Sequence, residues 1–166
     1  MAGPSRRYRP FALALIACGI LAAGGAIGYA LASSSTAPTA KRTALARTLK
    51  PRGAPGRTLG LSRVTIPPGG VIPLHHHEGS QVAYVRSGVL TYHVKTGSVK
   101  VRRGDADEHP RVIKKITAGH TGRIHPGQWI VEQPWEHHRA ANRGKDKIVI
   151  FLATLLKHGA PPSTPG

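Results

Sequence analysis

Two histidines and a glutamine in one short stretch have the types and the spacing of a transition-metal site. His75 and His77 are two residues apart, so on an extended strand both imidazoles point to the same side. Gln81 follows with a carbonyl oxygen, and a second histidine pair, His137 and His138, comes later in the chain. Imidazole nitrogens together with an oxygen suit divalent Fe, Mn, Ni, Cu or Zn. The pattern predicts a metal-binding pocket, but neighbouring residues of a strand point to opposite sides, so spacing alone does not choose between the second pair.

Three other residues are candidates for catalytic groups. Tyr92 alternates with Leu90 and Val94 on the apolar face of one predicted strand, so its hydroxyl could donate a hydrogen bond into the cavity. Glu132 and Glu136 are the acids nearest to the second histidine pair. Either could act as a general base if it reached the pocket. The alternative for both is a salt bridge to the abundant Lys and Arg.

The elements that would position these side chains are β-strands. The stretch TLGLSRVTI, from residue 58, alternates apolar and polar residues and ends at a Pro-Pro-Gly-Gly turn. QVAYV and VLTYHV flank Ser87-Gly88 and predict a hairpin. KIVIFLATLL, at residues 147–156, predicts a buried last strand. Many short strands with frequent turns and no helical periodicity indicate an all-β barrel or sandwich.

The chain resembles the cupin superfamily at two motifs. Gly69-x5-His75-x-His77-x3-Gln81-x6-Gly88 is similar to the first cupin motif, with Gln81 where the family usually has glutamate. Gly127-x10-His138-x3-Asn142 resembles the second motif, with a different interior. The resemblance covers about residues 58–158 and implies a small single-domain barrel of the jelly-roll type. It also implies that one divalent transition metal is bound by four residues, with His138 chosen over its neighbour: His75, His77, Gln81 and His138.

The glutamine in the first motif has a physical consequence. A carboxylate ligand would neutralise one charge of the ion, whereas an amide carbonyl neutralises none. A metal bound by Gln81 would therefore be held more weakly and would act as a stronger Lewis acid toward an oxygen or anionic ligand. We predict that Gln81→Glu raises metal affinity.

The amino-acid composition indicates which classes of binding partner to expect. The 166 residues include 24 Lys and Arg against 7 Asp and Glu, a formal net charge of +17. Zinc-finger, helix-turn-helix and RNP-like patterns are all missing from the sequence, so we expect no nucleic-acid partner. The charge instead favours membrane headgroups or acidic polymers. Cys18 is the one cysteine, which excludes an intramolecular disulfide. A homodimer and a small-molecule ligand in the barrel are further expectations.

The N-terminal sequence is typical of an export signal or a membrane anchor. Basic residues precede an uncharged apolar run over residues 11–32, long enough to span a bilayer. Residues 1–32 are therefore a membrane anchor or a signal peptide cleaved near Ala32, and both place the protein outside the cytoplasm. Residues 33–57 form a basic linker rich in Ala, Thr and Pro, in which residues 43–50 could form a helical turn or an edge strand. Residues 58–160 form the barrel and 161–166 a tail.

Three functions fit these features. The first is a metal-dependent oxidoreductase, in the manner of small cupin dioxygenases. The second is a non-catalytic module that binds a small ligand or an anionic polymer at the cell surface. The third is a metal-assisted isomerase or hydrolase, which requires Glu132 or Glu136 to reach the metal. Metal identity separates them, because redox-active metals favour the first, zinc the third and no metal the second.

Overall fold

The structure is a computed structural model that describes residues 38–105 and 109–166. The predicted signal or anchor at residues 1–32, with any N-terminal helix there, lies outside the described residues. In the described part, no helix has the length and apolar character needed to cross a bilayer.

The described residues contain twelve β-strands and no α-helix, which confirms the all-β prediction. The strands are β1 (Lys41–Leu49), β2 (Arg57–Ile66), β3 (Val71–His76), β4 (Gly79–Ser87), β5 (Leu90–Val94), β6 (Ser98–Arg103), β7 (Arg111–Thr117), β8 (Thr121–Ile124), β9 (Gln128–Glu132), β10 (His138–Asn142), β11 (Ile148–Lys157) and β12 (Thr164–Pro165).

Two antiparallel sheets make up the fold in a jelly-roll-like arrangement. The large sheet has the order β1-β2-β11-β4-β9-β6-β7, and the small sheet has the order β12-β3-β10-β5-β8. Strands that are distant in sequence are therefore neighbours in space, as β11 between β2 and β4 shows. The core contains buried side chains of both sheets, among them Ile66 and Ile150 of the large sheet and Tyr92 and Ile124 of the small one.

Strand alternation explains which side chains face this core. Along β5, Leu90, Tyr92 and Val94 are buried, as the sequence predicted. Along β11, Ile148 and Ile150 are buried while the intervening residues are partly exposed on the other face. Burying one face of each strand removes apolar area from water, which stabilises the fold by roughly 25 cal/mol per Å². This burial holds the two sheets together.

The N-terminal and C-terminal segments contribute strands of their own. Residues 41–49, which the sequence analysis included in the linker, form β1 and pair with β2 along its length. Of the two alternatives left open for residues 43–50, the structure has the edge strand. β12, in the segment assigned as a tail, pairs with β3 through Thr164 opposite His76.

The turn at Ser87-Gly88 does not form the predicted hairpin. β4 pairs with β9 and β11 in the large sheet, whereas β5 pairs with β8 and β10 in the small sheet. Gly88 has a φ of 74°, and a Cβ at this position would lie 2.8 Å from Cγ1 of Ile148. The chain turns a corner between the sheets at a residue whose missing side chain permits it. The hairpin prediction was wrong because local alternation does not identify the partner of a strand.

Candidate metal centre

Three histidines converge between the two sheets. His75 near the end of β3, His77 just beyond it and His138 at the start of β10 place their ligand atoms within 4.8 Å of one another. His138 lies opposite His75 in the pairing of β10 with β3. The first two histidines lie on the same side, as predicted, and His138 lies beside them, while its role as a metal ligand stays a prediction.

Backbone carbonyls fix the orientation of all three rings. Nδ1 of His75 donates to the carbonyl of Pro73 at 2.7 Å, Nδ1 of His77 to that of Pro162 at 2.7 Å, and Nδ1 of His138 to that of Glu136 at 3.0 Å. A carbonyl oxygen only accepts, so the Nδ1 atoms must carry the protons. The Nε2 atoms then carry lone pairs toward a cation, which is the usual arrangement of metal-binding histidines. In this structure the lone pair of His77 accepts a hydrogen bond from Gln81, which a bound cation would displace.

Burial favours the neutral form of the His75 and His77 rings. It lowers the pKa of His75 to about 4, with a further contribution from His138. Burial also lowers the pKa of His77, against the charge of Glu132 that raises it. At neutral pH, a cation would therefore meet uncharged imidazoles at His75 and His77.

Glu132 lies beside the histidines. Its Oε1 is 3.4 Å from Nε2 of His138, its Oε2 is 3.6 Å from Nε2 of His77, and its side chain is almost completely buried. Burial alone would raise its pKa, but the imidazoles of His138 and His77 and a hydrogen bond from Gln81 offset this and lower it. The carboxylate is therefore ionised next to the candidate metal position.

Gln81 occupies the position expected of a ligand but turns its amide nitrogen toward the histidines. Nε2 of Gln81 donates to Nε2 of His77 at 2.7 Å and also to Oε2 of Glu132. Gln81 and Glu132 are register partners across β4 and β9. The carbonyl oxygen of Gln81 is buried without a hydrogen-bond partner among the described residues.

A cavity of about 210 Å³ adjoins the site. Its polar lining includes the three histidines, Glu132 and Tyr92, and its apolar lining comes from both sheets. The Tyr92 ring stacks on His138 with the ring centroids 5.2 Å apart. Burial and the charge of Glu132 raise the pKa of Tyr92 well above its ordinary value, so the phenol remains protonated and can act as a donor. No well-aligned partner for its hydroxyl lies within hydrogen-bond distance in the described residues.

Arg42 also lines this cavity, and the sequence analysis did not identify it. It lies on β1, and its Nε donates to Oγ of Ser62 at 3.2 Å. No ion pair to Arg42 occurs in the part of the chain that the structure describes. The sequence alone does not place Arg42 at the cavity, because it does not decide the conformation of the segment that forms β1.

Two candidates from the second motif lie away from the cavity. The Glu136 side chain packs against Gly97, and its Oε1 accepts a hydrogen bond from the backbone of Ser98 at 3.4 Å. His137 lies near His76, with ring centroids 4.7 Å apart. Glu136 therefore contributes its backbone carbonyl to the site and not its carboxylate.

Sequence comparison bears on the segment that contains the first histidine motif. Residues 62–110 match the cupin-domain family. The match includes the first histidine motif and the corner at Gly88. A comparison with curated proteins by sequence gave no match.

Solved structures of low sequence identity are similar to this chain. The polyketide cyclase RemF from Streptomyces resistomycificus is similar with a TM-score of 0.51 and 18% identity, over 78% of this chain and 72% of that one. A cupin 2 domain-containing protein from Halorhodospira halophila has a TM-score of 0.49 and 17% identity, over 80% and 75%. KdgF from Halomonas sp. has a TM-score of 0.47 and 22% identity, over 70% and 81%.

Proposed function

We propose that this cupin domain binds one divalent transition metal through His75, His77 and His138 and acts on a small anionic molecule. The convergence of three Nε2 atoms whose rings are oriented by backbone carbonyls carries this proposal. The donor set suits Fe, Mn, Ni, Cu or Zn. When bound, the metal supplies a Lewis acid, together with redox chemistry for every member of this group except zinc.

The side chains around the cavity support an anionic substrate. The guanidinium of Arg42 is half-buried and faces the cavity from β1. A guanidinium holds a carboxylate or enolate through charge-assisted hydrogen bonds, which strengthen where water is excluded. The Tyr92 hydroxyl can donate a further bond to a substrate oxygen.

A metal-dependent oxidoreductase of the dioxygenase type is the leading function. The observation favouring it is the largely apolar lining of the cavity, which includes Leu90, Ile150 and Leu152. Such walls exclude water from a reactive centre and accept the hydrocarbon part of a substrate.

A metal-assisted isomerase or hydrolase is the second candidate, and Glu132 favours it. That function requires an acid that reaches the metal position, and Glu132 is within 3.6 Å of two of the three histidines. A buried carboxylate at this distance could move a proton to or from a bound substrate.

We place this activity outside the cytoplasm. The apolar run over residues 11–32, preceded by Arg6, Arg7 and Arg9, supports an anchor or a cleaved signal. The excess of Lys and Arg supports attraction of the protein to anionic headgroups or polymers near the membrane.

Elemental analysis of the purified full chain tests the proposal. We expect about one equivalent of metal, lost in His138→Ala and retained in the matched variant His137→Ala, because only the first ring faces the site. Redox-active metal would support the oxidoreductase, and zinc the isomerase or hydrolase. A metal-free protein that also fails to bind added metal, or two variants that bind equally well, would contradict the proposal and leave a non-catalytic binding module.

A further inference from the structure

The position that holds glutamate in the first cupin motif is Gln81 in this chain, yet the site does not lack a carboxylate. Glu132 lies directly across the sheet from Gln81, since the two are register partners of β9 and β4. Both residues are at least 95% buried. A buried carboxylate requires charge or hydrogen-bond compensation, and its neighbours here are Nε2 atoms that would bind the metal.

The distances are those of ligands that share one ion. Atoms bound at about 2.1 Å to one tetrahedral ion lie about 3.4 Å apart. Oε1 of Glu132 is 3.4 Å from Nε2 of His138, and Oε2 is 3.6 Å from Nε2 of His77. The carboxylate is already at ligand spacing from two of the three histidines.

The hydrogen bonds around Gln81 assign it a different role. Because Nδ1 of His77 donates to Pro162, its Nε2 is an acceptor, and Glu132 offers acceptors only. Turning the Gln81 amide over would bring its oxygen against both of these acceptors. The nitrogen therefore faces the site, and the oxygen faces away from it without a partner.

We propose that Glu132 is the carboxylate ligand of the metal, and that Gln81 is a positioning residue that donates a hydrogen bond to Glu132. The ligand set is then His75, His77, His138 and Glu132, so the carboxylate comes from β9 and not from β4. Such a set neutralises one charge of the ion, contrary to the expectation for a glutamine ligand. This inference rests on the proposed metal site.

Titration of the full chain with Co²⁺ alone tests the inference, because cobalt absorption reports both affinity and coordination. The variants are Glu132→Gln, the charge-conserving exchange Gln81→Glu with Glu132→Gln, and the control Glu136→Gln, whose side chain lies outside the cavity. We expect Glu132→Gln to lower affinity at least 100-fold and to change the absorption spectrum, beyond the roughly 10- to 100-fold loss typical of an outer-shell partner. The exchange should recover affinity to within about tenfold, and Glu136→Gln should match the unmodified protein.

The outcomes separate this inference from the proposed function. Cobalt binding that depends on His138 but is unchanged in Glu132→Gln would overturn the inference alone. An intermediate loss without recovery in the exchange would also overturn it. Should Glu132→Gln fail to fold, the cobalt affinity and absorption spectrum of the exchange variant decide. A match to the unmodified protein would support the inference, and a mismatch would overturn it. Failure of the unmodified protein to bind cobalt would overturn the metal site itself.

Discussion

Gln81 and Glu132 face each other across two strands, and this pairing changes what the motif substitution means. Without a metal, Gln81 donates to Glu132 and the pair carries one negative charge. A glutamate at position 81 would place two carboxylates in contact. Like charges at this distance raise the pKa of one carboxyl, so the pair would hold a proton that neither group holds when exposed.

Gln81→Glu is expected to raise metal affinity and to make the metal-free protein sensitive to pH. The folded variant retains a proton that the unfolded chain releases above about pH 4.3. Its free energy of unfolding should therefore fall as the pH rises from about 4.3 through the raised pKa. Denaturant midpoints at pH 5 and pH 8 with a chelator would show the effect, and the exchange variant, with one carboxylate, is the control. Equal or weaker metal binding by Gln81→Glu would contradict the expectation.

Sequence reasoning identified the histidines but not the partner of Gln81. The two-residue spacing of His75 and His77 is a property of one strand and can be read directly. The approach of Glu132 depends on the register between β4 and β9. Register is set by tertiary pairing, and no local pattern contains it.

At the scale of elements, β1 extends the large sheet and delivers Arg42 to the cavity. The strand comes from a segment whose composition resembles a linker, yet it pairs with β2 from Lys41 to Leu49. Composition failed here because the edge strand is stabilised by backbone pairing with β2 and has little apolar burial of its own. The prediction of a hairpin at Ser87-Gly88 was wrong for a related reason. A turn between two sheets and a hairpin turn within one sheet use the same residue types.

Arg42→Gln should weaken the binding of a carboxylate in the cavity. Benzoate is a suitable probe for an apolar cavity of about 210 Å³, and benzamide is its neutral counterpart. We expect the metal-loaded protein to prefer benzoate, and Arg42→Gln to lose about tenfold in benzoate affinity, the value of one charge-assisted hydrogen bond. Arg47→Gln, an exposed site on the same strand, is the control. Equal benzoate affinities in the two variants would contradict the role of Arg42.

At the scale of the whole molecule, the outer face of the large sheet exposes several large apolar side chains. Large aliphatic and aromatic side chains on its central strands are 37–46% exposed: Leu59, Leu61, Val82, Tyr84 and Leu155. Leu155 is one of the outward-facing apolar residues of β11, and such residues make this strand apolar on both faces. Arg63 and Arg86 are exposed on the same face and border these apolar side chains. Sheet faces pack against one another about 10 Å apart, and a two-fold axis would set the apolar side chains against their own copies.

A homodimer stays a prediction, and this face is where we expect it to form. Tyr84→Lys would place a charge at the centre of the contact, so it should shift the protein from dimer to monomer in sedimentation velocity. Ala118→Lys, exposed in the turn between β7 and β8, adds the same charge elsewhere and should leave the dimer intact. A protein that is already monomeric at high concentration would contradict the prediction.

The segment after β11 has a consequence for handling the protein. Pro162 holds the Nδ1 proton of His77, Ser163 lines the cavity, and the backbone of Gly166 donates to Leu74 at 3.1 Å. Proteolytic cleavage near Ala160 would remove the hydrogen bond that orients the His77 ring while leaving the strands of the two main sheets paired. A preparation trimmed in this way would look well folded by circular dichroism and still lose its ion during dialysis, so intact mass should be verified before any sample is judged metal-free.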